Sequence, residues 1–506
     1  MSTHQPSGVL GWLRHATADE RKALVAGGLG WMLDAFDVML YAMVLAHLML
    51  HFGMDKATAG LLQGLTLLSS AVGGTFFGFF ADRFGRARAL MVSILIYSLA
   101  SGACAFSQSI LQLGFFRLIL GLGMGGEWTA GAALVAETWR PQHRAKALAL
   151  MQANWPIGEG LAALVAGLFL GWGTLTLGQG VELPAWRAVF LVGVLPALLV
   201  LWIRSGVKEP AIWREHRKAR TEKQAHVPLR RLWQPDIRRN VIIASATSSA
   251  AMFGYWGLFT WIPAYLVLPV EEGGRGMDIM QTTGWLLLMG VGKWLSHPVY
   301  GYVADAVGRR SVYIVYVVLA GLLVPLFVWL ESPVMLLLVG MLVGFFGSGH
   351  FTGFATIANE MFPTEIRATA VGLTYNFGRG FSALAPLVVG ILAERYGIGS
   401  SFLLTSVAFL LAAGLATLKE LRKPGFFDDL NAKADDLRKA CQQVLDRHAI
   451  GAMVCGQGSF WQILFLDKPP RDYADVRESD MAASKALDLG CLSEGLYVLP
   501  GIRRFI

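Results

Sequence analysis

Charge is scarce in this sequence of 506 residues: only 15% are Asp, Glu, Lys or Arg, while 55% are hydrophobic. A water-soluble domain carries about a quarter charged residues, so most of the chain is excluded from an aqueous fold and lipid is the solvent that fits it. Cysteine is scarce as well. Cys104, Cys441, Cys455 and Cys491 show no paired spacing, which argues against a disulfide framework or a zinc site, and no metal or cofactor is expected. The formal charge of +8 could suggest nucleic acid, but the basic residues fall in short loops between apolar blocks, a pattern that belongs to membrane topology.

What is present is length in those apolar blocks. A helix of about 20 residues crosses the hydrocarbon core, and twelve blocks of that order are readable: near 24–48, 58–80, 89–108, 111–136, 146–171, 187–204, 240–268, 281–303, 311–330, 333–358, 368–392 and 400–418. The pattern predicts an all-α membrane protein of twelve transmembrane helices in two six-helix pseudo-symmetric halves. Its parts are an N-terminal stretch 1–22, a first half 23–204, a linker 205–239, a second half 240–420 and a soluble tail 421–506. The first block carries Asp34 and Asp37 and lacks a small-residue cleavage pattern, so it is expected to be a true span and not a removed signal peptide.

Positive charge sets the expected orientation. Arg14, Arg21 and Lys22 precede span one, Arg83, Arg86 and Arg88 follow span two, Arg140, Arg144 and Lys146 follow span four, and Arg309 and Arg310 follow span eight. The alternate loops are nearly bare. Because the linker holds Arg214, Arg217, Lys218, Arg220, Lys223, Arg230, Arg231, Arg238 and Arg239, it and both termini are expected on the cytoplasmic side of the cell membrane.

The two halves share a repeat. Gly78, Asp82, Gly85 and Arg86 in GFFADRFGR recur as Gly301, Asp305, Gly308 and Arg309 in GYVADAVGR, an offset of 223 residues. The same gap-free offset carries Glu137 onto Glu360, Arg144 onto Arg367 and Ala145 onto Ala368. Parallel repeats of this kind imply a pseudo-twofold axis along the membrane normal, with a binding site between the halves near the midplane.

These residues resemble the major facilitator superfamily, whose signature is a G-x-x-x-D-R-x-G-R loop after span two with a weaker copy after span eight. The resemblance covers about residues 20–420. Arg117 followed by Gly121, Gly123, Gly125 and Gly126 matches a second family motif in span four. More narrowly, GWMLDAFDVMLY and GLGMGGEW are similar to the sialate and lactate type of proton symporter and its metabolite and aromatic-acid relatives. The resemblance implies alternating access and makes Asp82, Arg83, Arg86, Asp305 and Arg309 a cytoplasmic gate, where an acid at a helix end pairs with basic groups and helix N-termini. The four span-four glycines are expected to permit close helix packing before they line any pore.

Ionisable side chains within spans are costly and mark functional candidates. The first half supplies acids. Asp34, Asp37 and Tyr41 share one face of span one by their spacing, Glu127 lies in span four beyond Arg117, and Glu159 lies in span five. As proton-coupling residues we read Glu127 first, then Asp34, Asp37, Arg117 and Glu159; the plainer alternative is a static Arg117–Glu127 pair or a structural polar face. The second half supplies bases: Lys293, His350 and Arg379, with Asn376 one turn before Arg379. Arg379 offers a planar fork that matches a carboxylate, and its alternative is a pair with Glu127 or Asp34. Lys293, His350, Asn376, Tyr41, Gln63, Asn154 and Trp256 complete the expected substrate-binding set.

Past Lys423 the composition turns soluble, with an expected helix, strand pair and second helix. The string GSFWQILFLDKPPRDYADVRESD, then LSEGLYVLP, resembles the C-terminal end of glutamate-semialdehyde-type aminotransferases. The Schiff-base lysine and cofactor domain of that family have no counterpart upstream, so this segment reads as a fusion remnant or altered reading frame, with a regulatory tail as the alternative. The expected function is proton-coupled symport of a small organic anion such as a sialic acid, lactate or an aromatic acid, by a lipid-embedded monomer that is no enzyme. Alternatives are a sugar carrier or a drug or metabolite exporter of the same fold, and, from another class, a membrane-anchored sensor or aminotransferase fusion.

Overall fold

The computed structural model describes residues 11–172, 174–177, 181–214, 229–363, 366–421, 426–457, 460–466, 468–470, 476 and 479–493. Linker residues Arg217, Lys218, Arg220 and Lys223 and the end of the tail lie outside the described residues. Met1–Ala416 form one unit and Thr417–Ile506 a second.

Within the first unit the chain runs back and forth as helices. Span one is Ala18–Phe52, span two Lys56–Phe84, span three Arg86–Cys104 and span four Ile110–Thr138. Span five comes in two pieces, Pro141–Gln152 and Trp155–Leu170, as does span six, Ala185–Val192 and Ala197–Gly206. A short hairpin, Thr174–Leu177 with Val181–Pro184, joins them. The second half repeats the plan: Pro235–Phe259 with Ile262–Val267, Ile279–Val307, Arg309–Trp329, Pro333–Met361, Arg367–Ser382 with Leu384–Tyr396, and Leu403–Leu421. Among the described residues eleven candidate spans are long and apolar enough to cross a membrane. Span eight, Ile279–Val307, is 29 residues long but is diluted by Lys293, Ser296 and His297, and it makes twelve.

Local chemistry sets the ends. Thr17 and Glu20 form a capping box at the start of span one, and Asp55 accepts the Thr58 N–H (2.7 Å) at the start of span two. Spans two and three meet at Gly85 (φ 118°), and spans eight and nine at Gly308 (φ 96°). A side chain is strained at such angles, so the repeat keeps its glycine where the chain turns the corner in both halves. One end of the bundle therefore carries Gly85, Gly308 and the linker, and will be called the linker end.

The halves meet along two seams. Span two lies against span eleven backbone to backbone: a Cβ at Gly60 would collide with the Pro386 carbonyl, one at Gly64 with the Ala383 carbonyl, and one at Gly390 with the Lys56 carbonyl. Span five lies against span eight, with Gly167 against Thr283 and Gly160 against Leu287. The span-four glycines pack as expected, Gly121 against Thr66, Gly125 against Ser70, Gly123 against span three and Gly126 on the Phe77 ring.

The second unit holds the helix Phe426–Arg447, the hairpin Met453–Gln457 with Phe460–Leu464, and the helix Met481–Ser493.

Candidate functional site

The site begins at two broken helices. Pro156 has no N–H for the Gln152 carbonyl and its ring crowds that turn, so span five breaks at Ala153 and Asn154. Pro386 likewise breaks span eleven at Ala383. Residues near both breaks line a cavity, walled by Trp31, Gln152 and Trp155 from the first half and by Met252, Tyr255, Trp256, His297, Ser348, Phe351, Tyr375 and Arg379 from the second. The wall is mostly aromatic. Trp31 and Trp155 pack with centroids 4.5 Å apart, and Tyr375 stacks on Trp128 at 4.6 Å across the halves.

Arg379 is 3% exposed and lines this cavity. Among the described residues its guanidinium has no hydrogen bond or ion pair, yet Asp34 and Glu127 both lie within its electrostatic reach. Those two acids are buried, and none of their carboxylate oxygens has a hydrogen-bond partner among the described residues. Gly30 makes room for Glu127, since a Cβ there would strike its carboxylate. A cation in the cavity wall without a bonded partner, with two unbonded carboxyls within its field, can take an anion and exchange a proton with its neighbours.

Other candidates are spent on one another. Arg117 donates to Gln63 and stacks 4.4 Å over the Tyr41 ring, while Tyr41 donates to the Ala59 carbonyl (2.8 Å). The static Arg117–Glu127 pair weighed from sequence is therefore not formed. Asp37 accepts from Ser101 (3.0 Å). Glu159, from span five, meets Lys293, from span eight, at 2.6 Å, with side chains 6% and 1% exposed. Its other oxygen accepts from Trp155 Nε1 (2.9 Å) and Tyr255 OH (2.7 Å). The Lys293 ammonium also lies 3.7 Å from the Phe259 ring centroid.

Of the eight expected substrate-binding residues, the cavity wall includes Arg379 and Trp256. Lys293 is held by Glu159. His350 is walled off by Phe351, Tyr313 and Phe409, Asn154 donates to the Leu150 and Met151 carbonyls at the helix break, and Asn376 packs against Gly74 in the seam. Tyr41 and Gln63 lie behind with Arg117. Sequence reasoning missed His297, Trp31, Trp155, Tyr375, Gln152 and Ser348. The first had a signal: His297 lies four residues after Lys293, on the same helical face.

At the linker end Arg86 pairs with Glu137 (2.8 Å) and Asp82 (2.8 Å). Glu209, another residue not singled out, accepts the backbone N–H groups of Arg86 (2.6 Å), Ala87 (3.2 Å) and Arg88 (3.2 Å), and so caps span three. In the second half Arg309 pairs with Glu360, the same two positions shifted by the repeat. Both clips are internal to their own half. Arg83 lies over the Phe84 ring at 5.5 Å, and the Asp305 side chain lies outside the described residues.

Comparison with known proteins agrees with this architecture. The profile described as Major Facilitator Superfamily matches residues 28–270 and 276–470. A "Probable 4-methylmuconolactone transporter" of Cupriavidus pinatubonensis is 31% identical over 81% of this chain and 93% of its own length. A "Cis,cis-muconate transport protein" of Acinetobacter baylyi is 32% identical over 77% and 92%. Among solved structures, an inward-facing, occupied bacterial homolog of the human lysosomal transporter Spinster superposes with a TM-score of 0.65 at 17% identity, over 81% of this chain and 99% of that one. The profile match runs into the segment whose sequence resembles an aminotransferase end, and none of these relatives is an aminotransferase.

Proposed function

The chain belongs to the Major Facilitator Superfamily of membrane transporters, and on that footing we propose that it carries a small organic carboxylate together with a proton, by alternating access. It is a transporter and not an enzyme. The observation that carries the proposal is Arg379: a buried guanidinium with no hydrogen bond or ion pair among the described residues, in an aromatic-walled cavity between the halves. Holding a charge there without a partner is unfavourable, so the site is complete only when an anion arrives. The names of two relatives, a muconate and a muconolactone transporter, point to organic-acid cargo, which in the muconate carrier is a dicarboxylate.

Proton coupling is assigned to Glu127 and Asp34, whose oxygens are buried and unbonded among the described residues and which lie within the field of the same arginine. A carboxyl that is neutral leaves Arg379 to the substrate, and one that is ionised competes for it. Substrate and proton are then loaded together. The positive loops assign the linker and both termini to the cytoplasm.

Purified protein in liposomes, given labelled carboxylates with and without an inward-acidifying pH gradient, tests this reading. Arg379→Lys keeps the charge and loses the two-pronged geometry, so its affinity should fall at least roughly tenfold, about the worth of one charge-assisted hydrogen bond. Equal affinity in wild type and Arg379→Lys, or uptake indifferent to the gradient, would overturn the arginine or the coupling assignment respectively.

A further inference from the structure

Counting charges in the cavity narrows its cargo further, on the basis of the carboxylate reading above. Arg379 is the one cation in the wall without a partner among the described residues, and Asp34 and Glu127 already draw on its field. Lys293 is neutralised by Glu159. The second-half wall also carries the hydroxyls of Tyr255, which donates to Glu159, and of Tyr375, and the pair His297 beside Ser348. His297 Nδ1 lies 2.8 Å from Thr352 Oγ1, which fixes the ring, while Nε2 lies 3.4 Å from Ser348 Oγ. That second contact is at the weak end of hydrogen-bonding range, so the His297 edge and the Ser348 hydroxyl have capacity left for a guest. Among the described residues no carboxylate bonds to the ring, and it serves as a neutral polar group.

We propose that the cavity is built for a flat monocarboxylate bearing one neutral hydrogen-bonding substituent, with Arg379 taking the carboxylate and His297 and Ser348 reading the substituent. Flat rings suit the aromatic walls through offset or edge-on stacking. A dicarboxylate would bring a second negative charge to a wall with no second free cation among the described residues, and a charge taken out of water without a partner is penalised. His297 and Ser348 are thus specificity-determining residues, and Thr352 is a positioning residue that acts through His297.

Competition against a transported label in proteoliposomes tests this, using benzoate, its meta and para hydroxy forms, its meta and para second-carboxylate forms, and 4-hydroxybenzyl alcohol. In the wild type a hydroxy form should compete roughly tenfold better than benzoate, as one hydrogen bond allows, and the dicarboxylates should be the weakest acids. His297→Leu and Ser348→Ala should each bring the hydroxy-to-benzoate ratio towards one. Dicarboxylates that match the hydroxy forms, or a ratio of one in the wild type, overturn the proposal while leaving the carboxylate reading intact. The neutral alcohol competing as well as the acids overturns the carboxylate reading itself, and failure of every probe overturns both. If neither variant folds, the wild-type ratios decide.

Discussion

Lys293→Met should be far more damaging than its modest change of volume suggests. The ammonium lies 2.6 Å from Glu159 inside the bundle, and among the described residues the rest of the Glu159 carboxylate is served only by the neutral donors Trp155 and Tyr255. Removing one partner of a buried pair costs about 3–5 kcal/mol because the other charge is stranded, roughly a 10²- to 10⁴-fold loss for the state that contains it. Methionine retains a contact with the Phe259 ring, so lost packing accounts for little of this. Glu159→Gln alone strands the ammonium in the same way. Combining the two removes both charges while the Gln carbonyl still accepts from Trp155 and Tyr255, so the double variant should recover most of the loss. Thermal unfolding of the four proteins in detergent supplies the cycle. Because the pair joins span five to span eight, labelling of Thr283→Cys, buried in that seam against Gly167, should rise in each single variant and fall back in the double. Single effects that simply add, or a Lys293→Met protein as stable as wild type, would refute the argument.

Two further outcomes follow from the assignments. Glu127→Gln imitates the protonated carboxyl, so counterflow of substrate should persist while accumulation driven by a pH gradient fails; gradient-driven accumulation at the wild-type level would move the assignment to Asp34, Asp37 or Glu159. A cysteine introduced at Arg217 should be protected from an impermeant reagent added outside intact cells if the linker lies in the cytoplasm, as its positive charge favours, and rapid labelling there would invert the topology.

The spans and the repeat were legible because each is written in local pattern. Apolar length marks a helix wherever it packs, and GFFADRFGR and GYVADAVGR declare the symmetry by themselves. Even the Arg86–Glu137 and Arg309–Glu360 clips could be paired through the 223-residue offset. The cavity was less legible, since its makeup depends on how each helix is rotated about its axis. Lys293 and His350 are both rare intramembrane bases and look alike in sequence, but one faces Glu159, 134 residues away, and the other a cage of rings. Arg379 was recognisable as a candidate because its geometry suits a carboxylate whatever surrounds it. Pro156 and Pro386 were available signals for where the wall would form, because a proline inside a span opens the helix one turn earlier.

The seam between spans two and eleven has a mechanical consequence. Where Gly60 and Gly64 receive the carbonyls of Pro386 and Ala383, no side chains interlock, so parting the surfaces frees almost no rotamers and closing them freezes almost none. Such a boundary can be opened and shut repeatedly with little entropic toll. It is also self-indexing: a slip of one turn would present Lys56 to the Pro386 carbonyl in place of Gly60, or Leu68 to the Ala383 carbonyl in place of Gly64, and the Cβ would not fit. Under the alternating access proposed above, each return stroke would fall into the same notch, as a detent holds a sliding shaft, and bring the two halves of the cavity back into register at these glycines.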